Sequence, residues 1–301
     1  MIYFLLVLLL SVSLAVFNPA ISLILGIVFT VLNKNSVIVL PSILGSRFLK
    51  MGIVLLGGTI SYSSFTSISA NYFPLISLYV FLVMIIGFFL GYCMKINKKH
   101  LLLLVAGTAI CGGTAVAALA PIIESKKEDL ASSIAIIFLL NLIAIIVFPF
   151  IGTALDLTQQ QFGVFAALTI HDIASVVGAA SIYGESSLEV ATILKLGRTL
   201  WIVPLVLFSS WYFSRQESGT SIPYFILLFA LFILLGSVVS FSDSAIFYLK
   251  TSSKICLLMG LFFIGTGISL KSLREVSLRP ASFAICLWLI AIGMTSLLYF
   301  L

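Results

Sequence analysis

The side chains with the most evident capacity for chemistry are the adjacent pair His171 and Asp172, within the segment TIHDIASVVGAA. Asp172 is the only acidic residue that falls inside an apolar run, since the other nine lie in loops or at helix ends. A carboxylate in a bilayer is costly unless it is protonated, paired or hydrated, and histidine titrates near neutral pH. The pair is therefore predicted to relay protons or bind an ion. The alternative is a structural hydrogen-bonding pair that locks two helices.

A second segment with chemical potential is the run GTAICGGT, from Gly107 to Thr114, which is followed by Pro121. Glycine costs about 1 kcal/mol in a helix interior relative to alanine, so these glycines and hydroxyls predict a helix that unwinds. An unwound turn exposes backbone groups to a ligand and aims half-helix dipoles at it. Close helix packing through small residues is the alternative. The predicted substrate ligands are Thr108, Cys111, Gly112, Gly113 and Thr114, with Gly260, Gly265 and Gly267 from a later glycine-rich segment.

Two pairs of basic residues share the spacing i, i+3, which places each pair on one helix face. In the pair Lys195 and Arg198, the arginine is roughly 13 Å inside its apolar segment at 1.5 Å per residue. The pair is expected to balance charge, because Arg198 can neutralise an anionic substrate or pair with Asp172. Arg47 and Lys50 are nearer to a helix start, and we expect them to extend to lipid headgroups.

The four cysteines form no recognisable disulfide or metal-binding pattern. Cys93, Cys111, Cys256 and Cys286 lie in or at the ends of apolar runs without CxxC spacing. Cys111 and His171 could act as nucleophile and base in an intramembrane enzyme, but nothing in the sequence brings them together, and buried thiols are commonly inert. We therefore expect no enzyme, no metal and no cofactor, and keep intramembrane catalysis as the minor alternative.

The elements that must position these residues are long apolar helices. Hydrophobic residues make up 61% of the 301-residue chain and charged residues 9%, whereas roughly a quarter of a soluble domain is charged. A bilayer core about 30 Å thick needs roughly twenty apolar residues per crossing, and the alternation of a membrane β-barrel is missing from runs such as 134–150. The sequence predicts an all-α membrane protein with about eleven spans, near 2–17, 19–32, 43–60, 74–93, 101–122, 130–152, 161–181, 189–213, 222–240, 249–270 and 281–301. For the first two, one bent helix is the alternative.

Basic residues in the connecting segments are unequally divided between the two sides of the membrane. Eight against four favours a cytoplasmic N-terminus and an external C-terminus. The net charge of +6 is explained by this bias, so the lipid bilayer and not nucleic acid is the expected partner. One side holds Lys34, Lys95, Lys98, Lys99, Arg215, Lys271, Arg274 and Arg279, and the other holds Lys126, Lys127, Lys250 and Lys254.

The chain also repeats its pattern after a shift of about 148 residues. Gly112 then coincides with Gly260, and the apolar run that begins at Leu101 coincides with the one at Leu249. Each unit holds five spans, and this odd number inverts the second unit in the membrane. Inverted repeats with broken helices near the midplane are a transporter design. The predicted divisions are an extra N-terminal helix at 1–18, a first five-helix repeat at 19–152 and an inverted second repeat at 161–301.

Together these motifs resemble the bacterial YeiH-type family, whose members are labelled sulfate exporters. The resemblance spans nearly the whole chain and rests on the segment Arg47 to Gly57, Ile110-Cys111-Gly112 before Pro121, His171-Asp172-x-Ala174-x-Val176-Val177, Lys195-x-x-Arg198, and Gly265 to Lys271. The resemblance implies an ion-coupling group of His171, Asp172 and Ser175, and this sequence departs from the family at two of these positions, with aspartate at 172 where glutamate is common and serine at 175 where glutamine is expected. It also implies kinship with the cation:proton antiporter and bile-acid:sodium symporter folds, in which two broken helices cross.

The expected function is secondary transport of a small anion, of the sulfate or organosulfonate class, coupled to protons or sodium. The sequence holds no nucleotide-binding loop, which disfavours ATP-driven transport by this chain. A cation:proton antiporter that uses Asp172 is the first alternative, and a sensory module or an intramembrane enzyme is the second. The predicted substrate cavity lies at the midplane between the motif Thr108 to Thr114, His171 and the glycine-rich part of the tenth span. The resemblance implies the cytoplasmic membrane of a bacterium, and a homo-oligomer is left open.

Overall fold

The computed structural model describes residues 2–33, 39–213, 224–239, 241–267 and 277–300, and every regular element in these ranges is helical. A π-helical turn, Gly107–Cys111, follows α5 and leads through Gly112 into α6. Four of the loop cations that orient the chain, Lys34, Arg215, Lys271 and Arg274, lie outside these ranges. The helices are α1 (Ile2–Val16), α2 (Pro19–Leu32), α3 (Val39–Gly57), α4 (Tyr62–Cys93), α5 (Lys98–Ala106), α6 (Gly113–Ile122), α7 (Lys127–Ala154), α8 (Gln159–Thr169), α9 (Ile173–Tyr183), α10 (Glu185–Thr199), α11 (Ile202–Tyr212), α12 (Tyr224–Val239), α13 (Asp243–Gly265) and α14 (Leu278–Phe300).

The all-α membrane class is confirmed. Five helices of the described ranges are long and apolar enough to cross a bilayer, namely α4, α7, α10 with α11, α13 and α14, and shorter apolar helices accompany them. Large apolar side chains such as Phe89, Phe150 and Trp211 are at least 70% exposed on the outside of the bundle, which lipid tolerates and water does not. The total of eleven spans stays a prediction.

The first apolar region forms two helices and not one bent helix. α1 ends at Val16, Phe17 adopts a positive φ of 56°, and α2 begins at Pro19. Proline suits this first helical position because its missing N–H has no partner there in any helix. Ser13 of α1 donates a hydrogen bond of 2.7 Å to Ser22 of α2. This bond holds the two helices together.

Several of the predicted spans have different bounds in the structure. The span predicted at 161–181 is divided into α8 and α9, and the one predicted at 189–213 is divided between α10 and α11 at Leu200 and Trp201. The helix predicted from residue 74 begins at Tyr62, where the Ser61 hydroxyl accepts a hydrogen bond from Ser64 N. Pro74 lies inside α4, because membrane helices tolerate proline where neighbours satisfy the freed carbonyl group.

Buried apolar side chains form two clusters. The larger cluster contains residues of α4 to α11 and α14, and it surrounds the divided helices. The smaller cluster contains residues of α2, α3, α12 and α13 together with one face each of α7, α9 and α10. α9 packs against α2 and α13, and α13 packs along α3. We call this contact region between the two clusters the α9 seam.

The predicted break in the tenth span is not present at Gly260, because α13 is continuous from Asp243 to Gly265. A Cβ atom at Gly260 would lie 2.9 Å from Leu49 N of α3, and one at Gly265 would collide with the Leu23 carbonyl oxygen of α2. These glycines therefore allow close helix packing. Gly267 lies in the turn after the helix, and residues 268–270 of this predicted span are outside the described ranges. The inverted relation between 19–152 and 161–301 stays a prediction.

Candidate ion-binding site at two helix breaks

The first break is the predicted one, in the segment GTAICGGT. After the π-helical turn, Gly112 adopts φ 64° and ψ −130°, and α6 begins at Gly113. Only glycine visits this backbone region readily. The Gly112 N–H donates a hydrogen bond of 2.8 Å to the Gly107 carbonyl, which closes the widened turn. The glycine motif therefore does unwind the helix, as its composition predicts.

The second break lies at Ile170, His171 and Asp172, where a continuous helix was expected. α8 ends at Thr169, Ile170 is extended, and Asp172 is the N-cap of α9. The Asp172 carboxylate accepts hydrogen bonds from Ser175 N at 2.7 Å and from Ser175 Oγ at 2.8 Å. Aspartate is among the preferred N-cap residues. Asp172-x-x-Ser175 is therefore a helix start and not a helix interior.

The two breaks touch each other. A Cβ atom at Gly112 would lie 3.3 Å from Asp172 N, Asp172 Cβ and the His171 carbonyl carbon. That spacing is tighter than ordinary van der Waals contact, so Gly112 is required here by its neighbours as well as by its φ angle. Gly112 therefore meets His171 and Asp172, whereas Gly260, its counterpart in the repeat, packs against Leu49 of α3.

Asn141 of α7 connects to both residues of the second break. Its Oδ1 accepts a hydrogen bond of 3.0 Å from His171 N and lies 3.1 Å from His171 Nδ1, while its Nδ2 donates to the Asp172 carboxylate. His171 and Asn141 are each 1% exposed, and His171 Nε2 has no hydrogen-bond partner among the described residues. Asn141 fixes the orientation of the break from the neighbouring helix.

Lys195 of α10 binds one carbonyl group that the second break leaves without a helical partner. Lys195 is 0% exposed and lies one turn before Arg198 on the same face of α10. Its Nζ donates a hydrogen bond of 2.6 Å to the Ile170 carbonyl. An unpaired buried ammonium group would be costly. The carbonyl dipoles at the end of α8 compensate part of this cost, because a helix C-terminus carries about half a negative charge.

Arg198 binds both breaks at once. Its Nε donates to the Ala109 carbonyl at 2.8 Å and its Nη2 to the Thr108 carbonyl, both in the first break. Its Nη1 donates at 2.7 Å to the Leu168 carbonyl and at 3.0 Å to the Ala167 carbonyl at the end of α8. The guanidinium also lies 5.0 Å from the centre of the Tyr79 ring. Arg198 therefore acts as a shared cap for two helix C-termini.

Among the described residues, neither cation forms an ion pair with Asp172, and both donate to backbone carbonyl groups instead. The expectation that Arg198 pairs with Asp172 is therefore corrected. The physical reason is that both cations bind freed carbonyl groups, whereas Asn141 and Ser175 bind the Asp172 carboxylate.

The amide side of the breaks borders a cavity of about 620 Å³, which we call the break cavity. α6 has no side-chain cap at its N-cap residue, Gly112, and a Cβ atom at Gly113, which lines this cavity, would meet nothing within 4 Å. Most of the remaining lining is apolar and comes from α2, α3, α7, α12 and α13. Its polar side chains are Ser46, Lys50, Thr114, Asn141, Asp172 and Ser175.

Lys50 is the basic residue among the described residues that line the break cavity. Its Nζ lies 5.8 Å from the centre of the Tyr224 ring and 5.7 Å from that of the Phe225 ring. Arg47, one turn earlier, is exposed and does not line the cavity. The expectation that Lys50 extends to lipid headgroups is therefore corrected, because its helix turns it towards the cavity.

The predicted site residues separate into three groups. Those that line the break cavity are Gly113, Thr114, Asp172, Ser175 and Gly267. Those buried behind it, at the breaks themselves, are Thr108, Cys111, Gly112 and His171. Those outside it are Gly260 and Gly265, which pack α13 against its neighbours, and Lys195 and Arg198, which lie on the carbonyl side.

Two residues that contact the breaks, Asn141 and Trp288, were not predicted from the sequence. Asn141 is the single polar residue in the apolar run 134–150, and an isolated amide in such a run is a recognisable signal for a buried polar contact. Trp288 of α14 donates from Nε1 to the Thr169 carbonyl at 2.8 Å, and nothing in its apolar surroundings distinguishes it.

Comparisons with known proteins identify relatives along most of the chain. The model of a family described as Conserved hypothetical protein 698 matches residues 2–284. The chain is 40% identical over 255 residues to a UPF0324 membrane protein of Photobacterium profundum, covering 85% of this chain and 78% of the relative. It is 37% identical over 258 residues to one of Shewanella oneidensis, with 86% and 81% covered, and 33% identical over 284 residues to one of Bdellovibrio bacteriovorus, with 92% and 87% covered. No solved structure matches.

Proposed function

Because the chain belongs to the UPF0324 family of bacterial membrane proteins, in agreement with the YeiH-type resemblance of its motifs, we propose that it is a secondary transporter of small anions. The names of its relatives give a membrane location and no substrate. The proposal therefore rests on the site. Its place in the bacterial cytoplasmic membrane, with the N-terminus inside, belongs to the same proposal.

The observation that carries the proposal is the polarity of the two breaks. The N-terminal ends of α6 and α9 border the break cavity, whereas the carbonyl ends are capped by Lys195 and Arg198. A helix N-terminus carries about half a positive charge. Asp172 caps the N-terminus of α9, whereas α6 has no side-chain cap at its N-cap residue, Gly112. Lys50 adds a full positive charge to the same cavity. This arrangement favours an anion at the N-terminal end of α6, which has no side-chain N-cap.

The size and lining of the cavity favour an organic anion over inorganic sulfate. Ligand pockets for organic molecules typically enclose about 300–1,000 Å³ and are mainly apolar with a few polar groups. The break cavity, at about 620 Å³, has this composition. An acidic head group at Gly113 and Lys50 would leave room for an apolar body beside Phe138 and Leu261. Within the sulfate and organosulfonate class, we therefore propose an organosulfonate or a similar amphipathic anion.

Asp172 is proposed to carry the coupling proton. It is the acidic residue in the cavity lining, and Asn141 and Ser175 bind its carboxylate. An anion that enters beside it would repel the charged carboxylate and favour its protonated form. Proton uptake would then accompany anion binding, with sodium as the other candidate partner for the carboxylate.

Asp172→Asn in proteoliposomes tests the proposal. Asparagine is as good an N-cap as aspartate, so the variant should remain folded while it loses the charge. We expect pH-gradient-driven uptake of a radiolabelled organosulfonate to fall at least tenfold. Asp156→Asn is the matched control, since Asp156 is exposed in the turn between α7 and α8. Unchanged gradient-driven uptake in Asp172→Asn would refute the coupling role, and no uptake by the wild type would refute anion transport.

The second candidate function is cation:proton antiport, which the position of Asp172 favours. A carboxylate beside an amide and a hydroxyl also suits a sodium ion. In the same proteoliposomes, sodium-dependent collapse of a pH gradient without anion dependence would identify this function. Catalysis is not part of the proposal, because Cys111 and His171 are both buried and neither lines the cavity.

A further inference from the structure

A second cavity of about 480 Å³ lies along the α9 seam, away from the breaks. α2, α3, α9 and α13 contribute to it, and these same four helices contribute to the break cavity. On α3 the order is Lys50 in the break cavity and then Leu56 in the second cavity, followed by Thr59 in the turn after the helix. On α9 the order is Ser175 and then Ser181. The two cavities are therefore successive along one line through the bundle.

α2 and α13 show the reverse order, as antiparallel neighbours must. On α13, Ser253 and Leu257 line the second cavity, and Leu261 and Ile264 line the break cavity. On α2, Pro19 belongs to the second cavity and Leu23 to the break cavity. All four helices thus give the same direction for the line that joins the cavities. Both cavities therefore lie between the same four helices, one after the other along the bundle.

The barrier between the cavities is thin and apolar. From Ser175 to Ser181 the rise along α9 is about 9 Å at 1.5 Å per residue, and from Lys50 to Leu56 along α3 it is the same. Ile53 and Val177 occupy these intervals, both 0% exposed, and they belong with Leu257 and Leu261 to one hydrophobic cluster. Gly178 brings α9 against this cluster, since a Cβ atom there would lie 3.4 Å from Leu261 Cδ1. We call Ile53, Val177, Leu257 and Leu261 the plug.

We propose that the second cavity is the opposite mouth of the permeation pathway and that the plug is its closed gate. This inference rests on the proposed transport function, and the observation behind it is the order of the two cavities along the same four helices. The plug contains no hydrogen bond that would have to break. A movement of α9 past α13 by about one helical turn, roughly 5 Å, would be enough to join the cavities.

The charges at this second mouth are balanced. Glu185 pairs with Lys250 at 2.8 Å, with side chains 83% and 48% exposed, and Glu189 and Lys254 also line the cavity. An exposed pair of this kind contributes little to stability, and two acids beside two lysines give no preference for either sign of ion. Charge selection therefore belongs to the break cavity, and the second cavity serves access.

Sidedness of thiol labelling tests the proposal. In a background with the four native cysteines replaced, Ser46→Cys reports on the break cavity, and Thr59→Cys and Ser181→Cys report on the second cavity. Inverted and right-side-out vesicles are treated with a membrane-impermeant cationic methanethiosulfonate. We expect Ser46→Cys to react from one side only and the other two from the opposite side only. Reaction of all three from the same side, or no reaction at Thr59→Cys and Ser181→Cys, would overturn the proposal.

A flux measurement then distinguishes failure of this inference from failure of the proposed transport function. Labelled Ser181→Cys should lose at least tenfold of its organosulfonate flux, whereas labelled Ser63→Cys should lose none. Ser63 is exposed near the same end of α3 and lines neither cavity. Full flux in labelled Ser181→Cys would overturn the pathway while anion transport survives. If no unlabelled variant shows flux, anion transport is refuted. The labelling result would still show whether the two cavities open on opposite sides of the membrane.

Discussion

On the carbonyl side of the two breaks, Lys195 and Arg198 donate hydrogen bonds to the freed backbone carbonyl groups, whereas on the amide side α6 has no side-chain N-cap and borders a cavity. Both sides arise from the same interruption of the same two helices. The difference lies in the neighbours: α10 supplies two buried cations to one side, and α7 supplies only Asn141 to the other. The carbonyl side thus stabilises the breaks, and the amide side is available to bind a ligand.

This comparison teaches that a broken membrane helix has two ends that require opposite treatment. Backbone groups at membrane depth must be satisfied by protein or must line a polar cavity. The protein uses the first solution for the carbonyl groups and the second for the N–H groups. Substitutions on the carbonyl side should therefore affect stability first, and substitutions on the amide side should affect ligand binding first.

The largest effect is expected for Arg198→Met, which keeps most of the side-chain volume. It leaves the carbonyls of Thr108, Ala109 and Leu168 without their donor, and an unsatisfied buried polar group costs about 1–3 kcal/mol. We expect stability to fall by more than about 3 kcal/mol in total, measured by thermal unfolding of the purified protein in detergent. Arg279→Met is the control, since Arg279 is exposed at the start of α14. Equal melting temperatures for the two variants would show that the hydrogen bonds of Arg198 on the carbonyl side do not stabilise the protein.

A smaller stability effect is expected for Gly112→Ala. A Cβ atom there combines the positive φ with the 3.3 Å approach to Asp172, and such backbone strain costs of order 1–3 kcal/mol. Gly113→Ala is the matched control, because Gly113 is helical and open, where alanine is neutral or stabilises by about 0.4–1 kcal/mol. The measurement is again thermal unfolding in detergent. A loss at Gly113 as large as that at Gly112 would contradict the assigned backbone roles.

Lys50→Gln should act on ligand binding with little change in stability. Removal of the cation from the break cavity is expected to weaken affinity for the transported anion about tenfold, which corresponds to roughly 1.4 kcal/mol. Arg47→Gln, one turn earlier and outside the cavity, should change affinity less than twofold. Concentration dependence of uptake in proteoliposomes measures both. An unchanged affinity in Lys50→Gln would place the anion away from the amide side.

The smallest effect is expected for Thr114→Val, which removes one hydroxyl group at nearly constant shape. A single neutral hydrogen bond contributes about 0.5–1.5 kcal/mol, so affinity should fall about three- to tenfold at most and the melting temperature should not change. Thr66→Val on the exposed face of α4 is the control. Saturation curves for uptake would show the difference, and equal curves would leave the α6 backbone alone as the donor.

The sequence predicted the first break because its cause is local. Glycine at 107, 112 and 113 weakens a helix wherever that helix is placed, and the observed φ of Gly112 is one that glycine readily adopts. The second break has no glycine or proline at Ile170 to Asp172. Its local signal, an aspartate three residues before a serine, is also common on helix surfaces. Tertiary contact with Gly112 and Asn141 decides whether this segment starts a helix or lies on a helix surface.

The partners of the buried cations could not be predicted for the same reason. The depth of Arg198 in its apolar segment indicates that its charge must be compensated. Either a carboxylate or several backbone carbonyl groups can do this. Only the arrangement of α5, α8 and α10 shows that the carbonyls do so. For α13 the sequence predicted a helix break that the structure does not contain. Gly260 and Gly265 permit close helix packing, and the sequence alone does not distinguish such glycines from glycines that break a helix.

The capping of two breaks by one arginine also constrains how the chain is made. Thr108 precedes Arg198 by 90 residues, so at a synthesis rate of about 5–20 residues per second the first break is complete roughly 4 to 18 s before its cap exists. During that interval the carbonyls of the nascent hairpin have no arginine to bind and must remain hydrated. The segments from α5 to α9 are therefore expected to wait at a wet interface of the insertion machinery and to enter the hydrocarbon only together with α10. Stable insertion then becomes a single late event, timed by the emergence of residue 198.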